Sequence, residues 1–326
     1  MANLYYEKDA DVHTLDGRAV AVVGYGIQGR AQALNLHDSG ADVVVGVRPD
    51  GDSWTMAKKD GLEVLPIADA VAASDVVMML IPDEVQPEVY AKDIAPALRK
   101  DAALDFAHGF NIRYGTIVPP KHVDVIMVAP KAPGAAVREN FVRGFGVPAL
   151  MAIHQDATGD ARKIALAIAK GLGSTKVGVI ETTFTEETET DLFGEQVDLC
   201  GGVSELIKTS FDVLVDAGYQ PELAYFEVLH ELKMIVDLIQ AGGIEHMWAG
   251  VSNTAEFGGR TRGPRVIDPH VRKNMQGLLK DVKSGAFARD WIDEYRKGMP
   301  TLTKARKEAP DSTLERVGRD VRRMFR

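Results

Sequence analysis

The chain has 326 residues, which is long enough to bury a large core and to form two domains. Its composition is 45% hydrophobic and 26% charged, as in globular proteins, and its net charge of −9 disfavours a protein that binds nucleic-acid phosphates. The single cysteine, Cys200, cannot form an internal disulfide, and no apolar run has the length of a signal peptide or a membrane span. We therefore expect a cytoplasmic protein.

The first half of the chain alternates short apolar runs with helical patterns. Six apolar runs are expected to be buried strands of one sheet: 19–24, 42–46, 75–81, 102–107, 123–130 and 149–154. Helices are expected after the first run, through Leu36, and over 160–172. This alternation predicts βαβ units and a doubly wound α/β sheet.

The character of the sequence changes near Glu181, where strand-like runs end and long amphipathic helices begin. We therefore predict an α/β domain over 1–182 and an all-helical domain over 183–326. Thr183 or Thr185 is the expected cap of the first helix of the second domain, because acidic residues fill the turn that follows.

A glycine-rich motif follows the first predicted strand and opens the next helix: Gly24, Tyr25, Gly26, Ile27, Gln28 and Gly29. A lone GxGxxG is a weak signal, but this one has the strand–turn–helix context that dinucleotide binding requires. Its glycines let backbone amides approach a pyrophosphate at the positive end of a helix. The motif predicts a Rossmann dinucleotide site; the alternative is a glycine-rich turn without a ligand.

The loop after the second predicted strand bears on the choice of cofactor. It contains Arg48, Asp50, Gly51, Asp52 and Ser53. Arg48 and Ser53 could bind a 2′-phosphate, whereas Asp50 and Asp52 would repel one and could accept hydrogen bonds from ribose hydroxyls. We expect NADH to be preferred, with NADPH as the alternative.

Two pairs of carboxylates, each spaced by four residues, lie in the helical half: Asp191 with Glu195, and Glu227 with Glu231. Residues at this spacing share a helix face, where like charges weaken the helix by a few tenths of a kcal/mol. Apolar neighbours suggest partial burial, and four buried carboxylates could hold hard divalent cations. Solvated acid pairs are common, however, and three further glutamates crowd positions 186–189, so the pairs alone do not decide.

Three further strings are distinctive: DFAHGFN at 105–111, VAPKAPG at 128–134 and VSNTAEFG at 251–258. Together with the glycine motif and the acid pairs, they resemble the short class of the ketol-acid reductoisomerase (acetohydroxyacid isomeroreductase) family, over nearly the whole chain and in the same order. The resemblance implies an N-terminal Rossmann domain, a knotted all-helical C-terminal domain, and at least a homodimer whose subunits complete each other's active sites.

The resemblance also implies a two-step reaction in the synthesis of valine, isoleucine and leucine. A 2-acetohydroxy acid undergoes a magnesium-dependent alkyl shift, and NAD(P)H then reduces the resulting keto acid to a 2,3-dihydroxy acid. Two Mg²⁺ ions per site would stabilise negative charge on the substrate oxygens and fix their geometry. Carboxylates suit Mg²⁺, which prefers oxygen ligands.

The resemblance assigns metal and substrate residues. Asp191 is expected to bridge both ions and Glu195 to bind one, while Glu227 and Glu231 reach the site from the partner subunit. Ser252 is expected to donate a hydrogen bond to the substrate carboxylate; read without its motif, it is an ordinary loop serine.

His108 and Lys131 follow two predicted strand ends, at the edge where open α/β sheets bind ligands. The resemblance makes His108 the active-site histidine, and Lys131 could polarise the substrate or join a proton network. It also places further cofactor contacts in one turn and one glycine: Asp83, Glu84, Val85, Gln86 and Gly134.

The chain departs from the family pattern at Arg30, which replaces a usual histidine. It also departs at Ala132 and Ala135, in the loop that carries Lys131 (the lysine loop). The acidic loop at 50–52 also replaces a hydroxyl-rich one, which weakens an NADPH assignment. Two other functions fit parts of the sequence: a metal-independent β-hydroxyacid dehydrogenase with a catalytic lysine, and a non-catalytic dinucleotide sensor.

Overall fold

The computed structural model describes residues Ala2–Met324. The chain forms two compact units, one ending at Thr188 and the other beginning at Glu189. This division lies within a helix, Phe184–Gly194, and a few residues beyond the boundary predicted at 182. Thr183 precedes that helix, and its Oγ1 accepts a hydrogen bond from the amide of Glu186 at 3.0 Å, so the predicted cap is confirmed.

The first unit is built on a nine-stranded sheet within the described residues. Its strands are β1 (Leu4–Tyr5), β2 (Ala19–Val23), β3 (Asp42–Gly46), β4 (Glu63–Leu65), β5 (Val76–Met79), β6 (Ala103–Phe106), β7 (Asp124–Pro130), β8 (Ala149–Gln155) and β9 (Val179–Glu181). All six predicted strands are present, and β1, β4 and β9 are additional.

The strands lie in the order β1-β9-β8-β7-β6-β5-β2-β3-β4. Those from β4 to β7 in this order are all parallel, as a doubly wound sheet requires. At the other side β8 is antiparallel to β7 and β1 is antiparallel to β9. The predicted α/β fold class is confirmed.

Seven helices of the first unit connect the strands: α1 (Ile27–Asp38), α2 (Asp52–Lys59), α3 (Ile67–Ala73), α4 (Gln86–Val89), α5 (Phe110–Arg113), α6 (Gly134–Val142) and α7 (Ala161–Gly171). They cover both faces of the sheet. Val20 and Val22 of β2 pack into one core, and Ala21 and Val23 pack into the other. This alternation follows from the two-residue period of a strand, and burial on both faces explains the continuous apolar runs in the sequence.

The helix that contains the division is α8 (Phe184–Gly194). The second unit is helical over its described residues: α9 (Gly201–Asp216), α10 (Pro221–Tyr225), α11 (Glu231–Gly242), α12 (Ile244–Ala249), α13 (Asn253–Val266), α14 (Pro269–Ser284), α15 (Ala286–Arg296), α16 (Pro300–Glu308) and α17 (Thr313–Arg323). Within 2–324, no helix combines the length and the apolar character needed to cross a bilayer.

Two stretches of the second unit adopt π-helical geometry, Glu195–Leu199 after α8 and Phe226–His230 between α10 and α11. In the first, the amide of Cys200 donates to the carbonyl of Glu195 at 3.1 Å, a bond that spans five residues. Glu195 is the first residue of the first stretch and Asp191 lies four residues before it, while Glu227 lies within the second stretch and Glu231 directly follows it. Such π segments are often found at functional sites.

Candidate active site

The glycine motif lies where the order of the parallel strands reverses, between β2 and β5, the usual ligand site of such sheets. Gly24 has φ +102°, which favours glycine, and a β-carbon on Gly29 would collide with the carbonyl of Gly24. Gly26 differs, because a β-carbon there would meet no protein atom within 4 Å. The turn is thus closed on the protein side and open beside Gly26.

The lysine loop packs against the glycine motif. A β-carbon on Gly134, the first residue of α6, would lie 2.6 Å from the carbonyl carbon of Ile27, so this contact requires glycine. The side-chain amide of Gln28 donates through Nε2 to the carbonyl of Ala132 at 3.0 Å. The predicted cofactor residue Gly134 therefore has a packing role, which brings the start of α6 to the start of α1.

Glu187 is the centre of a group of charged side chains at the carboxyl ends of β6 and β7. His108 Nδ1 lies 3.1 Å from its Oε2, and Lys131 Nζ lies 3.0 Å from its Oε1. The backbone amide of Gly109 also donates to Glu187 at 3.0 Å. The Glu187 side chain is only 1% exposed, so this buried carboxylate holds both predicted catalytic side chains in place.

Opposing effects act on the pKa of Glu187. Burial alone would raise it, but the hydrogen bond from His108, the charges of His108 and Lys131 and the Gly109 amide together lower it. Glu187 is consequently ionised at neutral pH, and a negative charge is fixed between the imidazole and the ammonium group.

The close approach of α8 to the loop that carries His108 depends on Gly109. A β-carbon at this position would collide with Thr188 Oγ1 and lie 2.8 Å from the carbonyl oxygen of Phe184. Thr188 itself is fixed by a hydrogen bond to that carbonyl at 2.7 Å. Glycine after His108 thus lets the carboxylate of Glu187 reach the histidine.

Helix α8 continues to Asp191, one turn after Glu187. His108, Glu187 and Asp191 can each offer one ligand atom, and these atoms lie within 4.8 Å of one another. A carboxylate and an imidazole at this separation are a donor set that suits a divalent cation. Among residues 2–324, Glu195, Glu227 and Glu231 are not members of this group.

The predicted cofactor turn after β5 is held by buried amide side chains. Asn111, in α5 directly after the loop that carries His108, donates to the carbonyl of Asp83 at 3.0 Å and to Oε1 of Gln86 at 2.9 Å. Gln86 in turn donates to the carbonyl of Ile81 at 2.9 Å. These bonds fix the turn against the loop that carries His108. Glu84 and Val85 complete the turn.

The other predicted residues lie at separate positions. Arg48, Asp50 and Asp52 are exposed after β3, and Asp50 has a left-handed backbone with φ +60°. Ser252 is the N-cap of α13, where its Oγ accepts a hydrogen bond from the amide of Ala255 at 3.2 Å. Its position has a structural explanation of its own, in addition to the substrate role that the motif implies.

Glu187 was not selected from the sequence, because three glutamates crowd this region. A usable signal was present: Glu187, Asp191 and Glu195 form a series with a spacing of four, which places them along one side of a helix. The amide of Gly109, a long-range contact, distinguishes Glu187 from Glu186 and Glu189.

A Rossmann sheet with a glycine turn at its switch point, next to a charged histidine–lysine–carboxylate group, defines a dinucleotide-dependent oxidoreductase. Comparison with known protein families identifies the family of oxidoreductases to which the chain belongs. Residues 14–178 match the model of the acetohydroxy acid isomeroreductase NADPH-binding domain, and residues 184–326 match the ketol-acid reductoisomerase C-terminal domain. The chain belongs to the ketol-acid reductoisomerase family.

Individual relatives agree over the full length. The chain is 58% identical to the ketol-acid reductoisomerase (NADP(+)) of Pyrobaculum islandicum, over 100% of this chain and 98% of that protein. It is 54% identical to the corresponding protein of Methanocaldococcus jannaschii, over 99% of this chain and 98% of that protein. A solved NADH-preferring ketol-acid reductoisomerase from an uncultured archaean superposes with a TM-score of 0.96 at 49% identity, covering 99% of each chain.

The family membership predicted from the sequence is confirmed, and with it the assignment as an enzyme of branched-chain amino-acid biosynthesis that uses a nicotinamide cofactor. The two other functions considered, a metal-independent β-hydroxyacid dehydrogenase and a non-catalytic sensor, are excluded by the match of both domains.

Proposed function

We propose that this enzyme converts 2-acetolactate or 2-aceto-2-hydroxybutyrate by a Mg²⁺-dependent alkyl shift and then reduces the product with NADH. The observation that supports the proposal most directly is the placement of His108, Glu187 and Asp191 with their ligand atoms within 4.8 Å of one another. This group adjoins Lys131 and the carboxyl edge of the sheet, where a nicotinamide cofactor is expected.

The chemistry of the donors fits magnesium. Asp191 offers carboxylate oxygens one helical turn from a buried carboxylate, and Glu195 follows one further turn along. We propose Asp191 as the ligand shared by two Mg²⁺ ions and Glu195 as a ligand of one. When bound, the ions would stabilise negative charge on the substrate oxygens.

The protein's own side chains then position the substrate and handle protons. If Nδ1 of His108 donates to Glu187, Nε2 is left as the nitrogen that can accept a proton from a substrate hydroxyl or water. Lys131 supplies positive charge near a substrate carbonyl, and Glu187 fixes its position. Ser252 is the proposed donor to the substrate carboxylate.

The proposed preference for NADH rests on the loop after β3. Two of its charged residues are acidic, Asp50 and Asp52, and both are exposed, so a 2′-phosphate placed at this loop would be repelled. The relative from the uncultured archaean is described as NADH-preferring, whereas the relatives from Pyrobaculum and Methanocaldococcus carry NADP(+) in their names. Cofactor choice thus varies within the family, and the acidic loop favours NADH here.

The second unit supports a dimer. One buried apolar cluster of this unit is small and contains Phe211, Ala224, Tyr225 and Val321. Several large apolar side chains of this unit are at least half exposed: Leu199, Val213, Tyr219, Leu223, Ile244, Phe257, Val266 and Ile267. So much exposed apolar surface is typical of helices that pack against another subunit.

Glu227 and Glu231 are also exposed, as expected if they complete the site of a partner subunit. We include this pairing, and the knotted path of the helices, in the proposal. The predicted cytoplasmic location stays a prediction.

The decisive experiment measures turnover of 2-acetolactate with and without Mg²⁺, using NADH and NADPH in parallel. Wild-type protein should require Mg²⁺ and show the higher kcat/KM with NADH. Asp191→Asn should abolish the alkyl shift, whereas the matched change Asp212→Asn, at an exposed aspartate of α9, should have no effect. Full activity without a divalent ion, or wild-type isomerisation by Asp191→Asn, would refute the metal assignment.

Cofactor preference has its own test. Replacing Asp50 by serine should raise kcat/KM for NADPH about fivefold, because one charge interaction near 4 Å in water is worth about 1 kcal/mol. Activity with NADH should fall or stay unchanged. A wild-type enzyme that already strongly prefers NADPH would overturn this part of the proposal.

A further inference from the structure

Asp60 directly follows α2 and accepts hydrogen bonds from two residues at the glycine turn. The hydroxyl of Tyr25 donates to Oδ2 at 2.8 Å. Arg30 donates through Nε to Oδ2 at 2.7 Å and through Nη2 to Oδ1 at 3.0 Å. Asp60 belongs to none of the motifs described above, and Arg30 is a position at which the chain departs from the family pattern.

These three residues connect two parts of the cofactor site that are separate in sequence. Tyr25 lies between Gly24 and Gly26 in the turn that approaches the pyrophosphate, and Arg30 lies in the first turns of α1. Asp60 is the C-cap residue of α2, whose N-terminal residue Asp52 belongs to the loop after β3. Helix α2 is therefore attached at one end to the loop after β3 (residues 47–51, the ribose loop) and at the other to the glycine turn (residues 24–29).

The attachment has the features of a strong contact. A paired guanidinium–carboxylate arrangement fixes orientation as well as distance. The side chain of Asp60 is 15% exposed and Tyr25 is buried, whereas the side chain of Arg30 is 49% exposed, so solvent screens the Tyr25–Asp60 contact less than the Arg30–Asp60 ion pair. The hydrogen bond from Arg30 lowers the pKa of Asp60, which keeps the carboxylate charged at neutral pH.

Helix α2, which connects Asp60 to the loop after β3, is short and rigid. Helix α2 has eight residues, which span about 12 Å, and within it Ala57 is buried. The residues between β3 and α2, by contrast, are exposed from Arg48 to Asp50. An exposed loop of this kind takes its position from the elements at its two ends, and α2 is one of them.

We infer that Asp60 is a positioning residue for the cofactor. Through its hydrogen bonds with Tyr25 and Arg30 it fixes the position of α2, and of the ribose loop before it, relative to the glycine turn. This inference rests on the dinucleotide site proposed above at Gly24–Gly29. Asp60 does not touch the reacting atoms, so it should affect cofactor affinity and leave the chemical steps unchanged.

The test compares Asp60→Asn and Asp60→Ala with wild type in the complete enzyme. We expect KM for NADH, and its dissociation constant measured by fluorescence titration, to rise about tenfold with loss of the paired contact. The kcat at saturating NADH and KM for 2-acetolactate should stay within about twofold, since the chemistry is untouched. Asp60→Glu, which keeps the charge, should restore part of the affinity.

Arg30→Ala should give a similar loss, and the double variant with Asp60→Ala should lose no more than either single variant, because the two side chains act as one unit. Asp42→Asn, at an exposed aspartate at the opposite end of β3, is the matched control and should bind NADH like wild type. Thermal unfolding of every variant separates a cofactor effect from a general loss of stability.

Folded Asp60 and Arg30 variants that bind NADH as tightly as wild type would overturn the inference. Gly26→Ala distinguishes this outcome from failure of the dinucleotide site itself, because its β-carbon meets no protein atom and so perturbs the ligand space and not the fold. If Gly26→Ala loses NADH binding while the Asp60 variants keep it, only the role of Asp60 is wrong. If Gly26→Ala binds normally, the proposed site fails and the inference fails with it.

Discussion

Gly134 lies directly against the main chain of Ile27, which joins the loop after β7 to the start of α1. Gly134, predicted as a cofactor residue, is thus a packing residue in the structure. Gly134→Ala would place a β-carbon 2.6 Å from the carbonyl carbon of Ile27, and backbone atoms on both sides would have to move. We expect NADH binding to weaken and the protein to lose about 1–3 kcal/mol of stability from overpacking.

The matched control is Gly277→Ala in α14, where a β-carbon would meet nothing within 4 Å. It should stabilise the protein by about 0.5–1 kcal/mol, because alanine costs less conformational entropy in a helix. Urea unfolding of both variants checks the two signs. Equal effects of the two substitutions would show that the contact with Ile27 is not tight.

Glu187→Gln tests the buried carboxylate between His108 and Lys131. The substitution keeps the shape but removes the charge, and hydrogen bonds to charged groups contribute about 1.5–3 kcal/mol each. We expect kcat to fall by about thirtyfold or more, with both the shift and the reduction affected. Glu186→Gln, at the exposed neighbouring position, should retain wild-type kcat. Similar rates for the two variants would remove Glu187 from the active site.

Asp105 is fully buried in β6, and neither of its carboxylate oxygens has a hydrogen-bond partner in good geometry among the described residues. Burial raises the pKa of Asp105 well above its usual value, and the amides of Val128 and Phe106 offset only part of this effect. The folded protein therefore binds a proton that the unfolded chain releases above about pH 4, and stability declines as the pH rises from there.

Asp105→Asn should remove this decline. We expect the variant to be more stable than wild type at pH 8, by about 1 kcal/mol or more, and the difference to shrink as the pH approaches 4. Chemical denaturation at several pH values measures the difference. A constant difference across this range would show that Asp105 does not titrate on unfolding.

The pKa of Glu181 is shifted in the opposite direction to that of Asp105. Hydrogen bonds from Arg162, Asn3 and Tyr5 lower the pKa of Glu181 from 4.5 to about 2. A depressed pKa contributes stability that is present above pH 4.5 and is lost as the pH falls towards 2. Glu181→Gln should therefore cost about 1 kcal/mol at pH 7, after allowance for solvent screening, and progressively less as the pH falls from 4.5 towards 2.

The same denaturation series at pH 7, 5 and 3 tests this prediction, with Glu139→Gln at an exposed site of α6 as the control. If Glu181→Gln and wild type lost stability in parallel on acidification, the ion pair with Arg162 would have no measurable role. Because Asn3 and Tyr5 belong to or flank β1, the variant should also loosen the N-terminal strand.

The parts of the fold that were predictable from sequence are those with a strong local signal. Strand β3 was predicted with its observed bounds, because it is buried on both faces and reads as one apolar run. Strands β1, β4 and β9 were missed because they have two or three residues each and depend on pairing with distant segments. The antiparallel pairing of β7 with β8 likewise has no local signal.

The candidate site shows the same distinction. The glycine motif, His108 and Lys131 were found because strand ends and motifs mark them. Glu187 and Asp60 were not, because each is selected by hydrogen bonds from residues far away in the sequence. Sequence patterns identify side chains with suitable chemistry, whereas their selection among similar neighbours is a property of the folded chain.

The π-helical stretches at the two acid pairs have a consequence for how this site can vary. A π turn contains one residue more than the regular helix around it, and each residue of an α-helix turns the chain by about 100°. Removing one residue from Glu195–Leu199 or from Phe226–His230 would restore a regular helix and point everything beyond it in a new direction. The direction of the Glu231 side chain relative to that of Glu227 is therefore set by chain length as well as by residue identity, and a single deletion between them could disable the site with every acidic residue still present.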